Sequence, residues 1–178
     1  MQSKQLVLLD SLRLFYAVPE NAIKLVKCIG CADPENHVSL RVVDWFVTNF
    51  AKSRNLQYDI DLPDGTQRHF NVHLSYKACL KSWSKKHFDP FARRERVFWE
   101  VTLEGGEKKV FHTTCAQLCF FRWAISNKVW DWALENKSII EQDMNNNIKK
   151  LDSSKRRKEL SKNNTRTHFM FNESPPTV

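Results

Sequence analysis

The sequence predicts an α+β fold of repeated β-hairpin–helix units, forming a small antiparallel sheet covered by helices and followed by an extended basic C-terminal tail. Three observations carry this expectation. The apolar spacing switches twice from the helical period to strict alternation around a glycine turn. Each alternating stretch gives way to a segment that opens with a capping residue and returns to helical spacing. The 178 residues are 42% hydrophobic and 12% aromatic, which suits one globular core and excludes a disordered chain. The expected organisation is an N-terminal helical arm (1–38), an α+β core domain (39–144) and a basic, largely irregular tail (145–178).

Leu6, Leu9, Leu12 and Tyr16 recur at helical spacing until Pro19 stops or redirects the chain. Asn21 to Lys27 reads as a short second helix. Ser39 is placed to cap the next one, whose apolar face is Val42, Val43, Phe46, Val47 and Phe50. Leu56, Tyr58, Ile60 and Leu62 then alternate with Gln57, Asp59 and Asp61. Pro63-Asp64-Gly65-Thr66 makes the reversal, with Gly65 supplying the positive φ, and Phe70, Val72 and Leu74 alternate on the return.

Ser75 is the expected N-cap of a helix with Tyr76, Leu80, Trp83 and His87 on one face, ended by Asp89-Pro90. A second hairpin follows, with Val97, Trp99, Val101 and Leu103 on one face and Glu100 and Thr102 on the other. Its turn is Glu104-Gly105-Gly106-Glu107. Thr114-x-x-Gln117 reads as a capping box in which each side chain satisfies a free amide. The helix it opens is expected to run to about Met144. Its two apolar stripes (Leu118, Phe121, Ile125, Val129, Trp132 and Phe120, Trp123, Trp130, Leu134) make it either central to the core or part of an intersubunit contact.

Net charge is 28 − 20 = +8, and the tail alone supplies 8 − 3 = +5. A cationic tail on a near-neutral domain points to a polyanion or an assembly as partner. Lys149, Lys150 and the run Lys155-Arg156-Arg157-Lys158 form its cationic part; that run reads equally as a helical continuation. The apolar tip Phe169-Met170-Phe171 reads as a docking peptide. Lys81, Lys85, Lys86, Arg93, Arg94 and Arg96 surround the Pro90 corner, interleaved with Trp83, Phe88 and Phe91. That mixture is what single-stranded nucleic acid binding uses, cations for phosphates and rings for bases. An amphipathic helix with core rings and solvated lysines is the simpler explanation.

Five cysteines at uneven spacing argue against a disulfide framework and for reduced thiols. Cys28-x-x-Cys31 with Cys115-x-x-x-Cys119 makes a weak zinc pattern, because the second pair sits in an aromatic helix. The apolar neighbours there favour neutral thiols, so no metal and no cofactor are expected. The histidines match no catalytic template, and no nucleophile elbow, phosphate loop or dinucleotide fingerprint is present, so an enzyme is not expected. No apolar run is long enough to cross a bilayer and Met1-Gln2-Ser3-Lys4 shows no signal-peptide pattern, so membrane insertion is not expected.

At Val42-Val43-Asp44-Trp45-Phe46-Val47-Thr48-Asn49-Phe50, at Phe88-Asp89-Pro90-Phe91-Ala92-Arg93-Arg94-Glu95-Arg96, and at Thr113-Thr114 through Gln117-Leu118-Cys119-Phe120-Phe121-Arg122-Trp123-Ala124, the chain resembles a family of small basic proteins encoded by large nucleocytoplasmic DNA viruses. The resemblance covers about residues 40 to 145. It implies a viral product carried in the virion, and in the host cytoplasm or nucleus during infection, but transfers no catalytic or binding residue.

Two functions compete. The first is a non-enzymatic virion component, a minor capsid or core-associated protein, that binds neighbouring virion proteins or itself through Trp130, Trp132, Phe169, Met170 and Phe171. The second is a protein that condenses or regulates the viral genome, binding DNA or RNA through Arg93, Arg94, Arg96, Lys149, Lys150, Arg156, Arg157 and Lys158.

Overall fold

The computed structural model describes residues 3–29, 37–103 and 105–163, with 3–5 and 151–163 as backbone alone. The chain divides into two units, Met1–Met144 and Asn145–Val178. The first unit is α+β: α1 (Ser3–Tyr16), α2 (Pro19–Ile29), α3 (Leu40–Trp45), a π-helical turn (Phe46–Phe50) and α4 (Ala51–Ser53) precede the hairpins. Then come β1 (Gln57–Asp61), β2 (Gln67–Asn71), α5 (Val72–His87), β3 (Arg96–Thr102), β4 (Lys108–Thr114), α6 (Cys115–Ser126) and α7 (Val129–Glu135). Last is α8 (Lys137–Asn163), whose backbone is helical over residues where the sequence suggests an irregular tail.

The core is built around α6. Leu118, Cys119, Phe120, Phe121, Trp123, Ala124 and Ile125 are all buried, which accounts for two apolar stripes on one helix. Helices α1, α2, α5 and α7 pack against it. The helices of the expected N-terminal helical arm are seated on this core: Leu12 and Leu25 are fully buried, and the Tyr16 hydroxyl donates to the Leu118 carbonyl at 2.8 Å.

Both hairpins form as the alternation predicts, with Tyr58 opposite Phe70 and Trp99 opposite Phe111. They remain two separate two-stranded sheets. The reason is where each buried face goes. Phe70 of the first packs toward Trp123 on α6 (ring centroids 6.4 Å apart), whereas Trp99 of the second meets Tyr16 on α1 at 6.0 Å. The hairpins cover different helices, so their edges do not meet. Gly65 (φ 81°) turns the first, where the Asp64 carboxylate also accepts from the Thr66 amide and hydroxyl.

Ser39 caps α3 as expected, accepting from the Val42 amide. Ser75 does not cap α5. Asn71 takes that role by accepting from the Leu74 amide, so β2 stops before Val72 and the expected strand residues Val72, His73 and Leu74 are helical. Ser75 instead accepts from the Trp123 indole at 3.0 Å.

The long helix expected from Thr114 to Met144 is three helices. Asn127 ends α6: its side-chain amide donates back to the Trp123 carbonyl at 2.7 Å, and Lys128 adopts the left-handed conformation (φ 53°). Asn136 repeats the device between α7 and α8, bonding to the Trp132 carbonyl. A side chain that bonds its own preceding turn lets the backbone leave the helix without orphaned carbonyls.

Candidate nucleic-acid interface

Lys85, Lys86, Arg93 and Arg94 at the Pro90 corner line an open cleft of about 510 Å³, together with Phe91, the acids Asp89 and Glu95, and the start of α6. The corner is anchored from below by Phe88, buried among Phe120 and Trp123. Asp89 accepts from the Phe91 amide at 2.9 Å, and its own amide reaches the Ala116 carbonyl. Gln117 completes the anchoring. The Thr114 hydroxyl caps the Gln117 amide, yet the reciprocal half of the expected capping box is absent. The Gln117 side chain donates to the Pro90 carbonyl at 2.9 Å and accepts from the Thr113 hydroxyl. The corner is therefore stitched to the first turn of α6, and the arginines that follow are carried on a fixed base.

Above that base the rim is cationic and aromatic. Lys81, Lys85, Lys86, Arg93, Arg94 and Arg96 are exposed, and no ion pair among the described residues engages them. Trp83 is 44% and Phe91 45% exposed. A break at Ser84 (φ 58°) near the end of α5 redirects Lys85 and Lys86 after Trp83. Burial raises the pKa of Asp44, the Asp89 carboxylate adds to the rise and Lys85 opposes it.

Cys115 lines the same cleft at the first position of α6. Its pKa is lowered, chiefly by a hydrogen bond from the Cys119 thiol and further by Arg122, against desolvation and Glu95. Cys119 moves strongly the other way. Apolar surroundings were expected to raise the pKa of both thiols; only that of Cys119 is raised, because one thiol of a bonded pair donates while the other accepts.

A model of the family of unknown function DUF7197 matches residues 1–176 of the chain. The chain belongs to DUF7197. It is also 35% identical over 149 residues to uncharacterized protein L507 of Acanthamoeba polyphaga mimivirus, an alignment covering 83% of this chain and 56% of that one. The chain thus spans little more than half the length of that relative. No solved structure matches. A giant-virus relative agrees with the viral resemblance carried by the Val42, Phe88 and Thr113 segments.

Within this DUF7197 chain the residues singled out from sequence fall into separate places. Arg93 and Arg94 line the cleft. Arg96 begins β3 beside it, with its Nε bonded to the Arg93 carbonyl. Lys149 and Lys150 are exposed on α8 in the second unit. Arg156, Arg157 and Lys158 lie on the helical backbone of α8, without described side chains. Phe169, Met170 and Phe171 lie outside the described residues, as does Cys31.

Trp130 and Trp132, expected to meet a partner, both pack against rings of this chain. Trp130 is 3% exposed and meets Phe121 edge-on, and Trp132 stacks on Phe46 with ring centroids 4.7 Å apart. The Trp130 ring is enclosed by this chain's own core, whereas Trp132 packs one face on Phe46 and stays partly exposed.

Of the weak zinc candidates, Cys28 is buried. Its pKa is pushed well up by desolvation, with Asp131 adding and Lys24 opposing. No group of three or more His, Cys, Asp or Glu among the described residues could hold a metal ion. His69 bonds Asp59 and Gln57 across the first hairpin, and His73 bonds the Val47 carbonyl from α5. No described helix is long and apolar enough to cross a membrane.

Sequence reasoning missed three residues. Gln117 as the tie to Pro90 and Cys115 as cleft lining depend on a contact across nearly thirty residues, and no local signal announces it. Phe98 was legible: parity along β3 places it on the solvent face opposite Trp99, and it is 80% exposed.

Proposed function

We propose that this protein binds nucleic acid through the cleft at the Pro90 corner, acting on a viral genome or its transcripts as a binding protein and not as an enzyme. One observation carries the reading. The exposed rings Trp83 and Phe91 stand among exposed cations that outnumber the two acids of the cleft, Asp89 and Glu95, and that no described ion pair engages, on a corner anchored by Phe88 and Gln117. Cations on a fixed base meet phosphates without a large ordering cost, and the flanking rings suit bases. The viral relative supports the context, whether the protein acts in the infected cell or is packaged in the virion.

The test is an anisotropy titration of a labelled oligonucleotide at two salt concentrations. Binding should weaken steeply with salt, and the double variant Arg93→Ala/Arg94→Ala should flatten the log–log slope by about 1.4 on a single strand. No binding by the wild-type protein at low salt would eliminate the reading.

A second reading, a minor capsid or core-associated virion component, is favoured by Val7 and Leu14. Seven residues apart on one face of α1, they are 67% and 77% exposed. Replacing both with serine should then reduce the protein's association with purified particles while leaving oligonucleotide binding intact. Undiminished association would remove this reading.

A further inference from the structure

We propose that the outward face of the second hairpin is a stacking platform for unpaired bases, with Phe98 as its central ring, so that the ligand of the cleft is a single-stranded nucleic acid. This rests on the nucleic-acid reading of the cleft and narrows it to one class of ligand.

Alternation along β3 sends Trp99 and Val101 into the core and Phe98 to solvent. A large ring exposed to 80% would ordinarily be mobile, but this one is braced. His112 is its cross-strand partner, and the two rings are nearly parallel, 12° apart with centroids at 4.8 Å. The imidazole is held in turn by Arg96, whose guanidinium donates to His112 Nδ1 at 3.3 Å. Arg96, His112 and Phe98 thus form a short ladder. One face of the phenyl ring is backed by imidazole, and the ring is largely open to solvent. A preoriented ring loses little rotamer freedom when a base lands on it.

The same ladder connects the platform to the cleft. Arg96 bonds the Arg93 carbonyl, and Thr114, its partner across the ladder, lines the cleft beside Cys115. Phe98 follows Arg96 on the same face, about 7 Å further along the strand. A strand whose phosphates lie along Arg93, Arg94 and Arg96 therefore arrives with its next bases at Phe98. Charge on the platform favours the same ligand. The carboxylate of Glu100 is paired with Lys108 at 2.8 Å, and at the cleft end Arg93, Arg94 and Arg96 outnumber Glu95. Duplex DNA or RNA keeps its bases stacked on one another and offers none to an outside ring, so the platform discriminates between the two forms.

The experiment compares wild type, Phe98→Ala, Phe98→Tyr and Arg93→Ala/Arg94→Ala for binding to labelled oligothymidylate and to a duplex of equal length. Circular dichroism serves as the fold control. Phe98→Ala should weaken single-strand binding roughly 5- to 100-fold with an unchanged salt slope, leave duplex binding alone, and be rescued by tyrosine. If Phe98→Ala binds oligothymidylate like wild type while the arginine variant is impaired, the platform is overturned and the cleft reading stands. Equal loss on single strand and duplex also overturns it. Self-association that Phe98→Ala abolishes, with oligonucleotide binding unchanged, would replace the base by a second copy of this chain. If the wild type binds neither probe at low salt, the reading of the cleft fails with it.

Discussion

The hydroxyl of Tyr58 donates to the main-chain carbonyl of Asn127 across 2.7 Å, tying the first hairpin to the point where α6 ends. Asn127 is itself buried. Its side-chain oxygen accepts from Arg68 at 2.7 Å while its amide group donates to the Trp123 carbonyl. One residue thus terminates the central helix and receives both strands of a hairpin. Asn127→Ala should cost about 2 kcal/mol, since it removes both side-chain bonds, to the Trp123 carbonyl and from the Arg68 guanidinium. Tyr58→Phe should cost about 1 kcal/mol. Urea unfolding of the two variants checks the ranking, and equal losses would deny Asn127 its role as the junction.

Trp132 offers a clean separation between core and partner surface. Its stack on Phe46 and its contact with Phe50 predict that Trp132→Ala lowers stability by about 3 kcal/mol in the isolated protein. Chemical denaturation measures this directly. A ring that served a partner alone would leave the isolated protein's unfolding midpoint where it was.

The two thiols of α6 should differ in reactivity. Cys115 is stabilised as a thiolate by the Cys119 thiol, so its alkylation by iodoacetamide should begin at lower pH than that of Cys119. Cys119→Ala removes the donor and should shift the Cys115 profile to higher pH. Peptide mapping by mass spectrometry after timed quenching distinguishes the sites. Preferential labelling of Cys119 would contradict the bond's direction.

Asp44 should make stability depend on pH in the sense opposite to an ion-paired carboxylate. Its folded pKa is raised by burial and by Asp89, so the folded state holds the proton more tightly than the unfolded chain does. Its contribution is therefore most favourable below the unfolded value of about 4 and is lost as pH rises through the raised one. Asp44→Asn should raise the urea midpoint at neutral pH, and the gain should vanish below about pH 4. A gain that persists in acid would exclude a titrating cause.

Much of the fold was legible because its signals are local. Ser39 and Thr114 as caps, Gly65 as a turn and the inward set Trp99 and Val101 all follow from residues within a few positions of one another. The misplacements share a different origin. Asn71 and Ser75 both qualify as caps of α5, and the choice falls to Asn71 because Ser75 is engaged by Trp123, 48 residues away. The two apolar stripes that carry Trp132 and Trp130 say that those rings pack against something, but not against what; this chain's own Phe46 and Phe121 take that place.

The sequence by itself determined the class of the fold, the two hairpins with their turns and the sign of the charge around Pro90, since periodicity, turn chemistry and composition act over a few residues. Only the tertiary structure decided that the hairpins stay apart, that α6 ends at Asn127, and that Gln117 fastens the Pro90 corner beneath the arginines. Those outcomes depend on which partner wins each buried hydrogen bond and each apolar face. That competition is settled between residues distant in the chain, where no local pattern records the result.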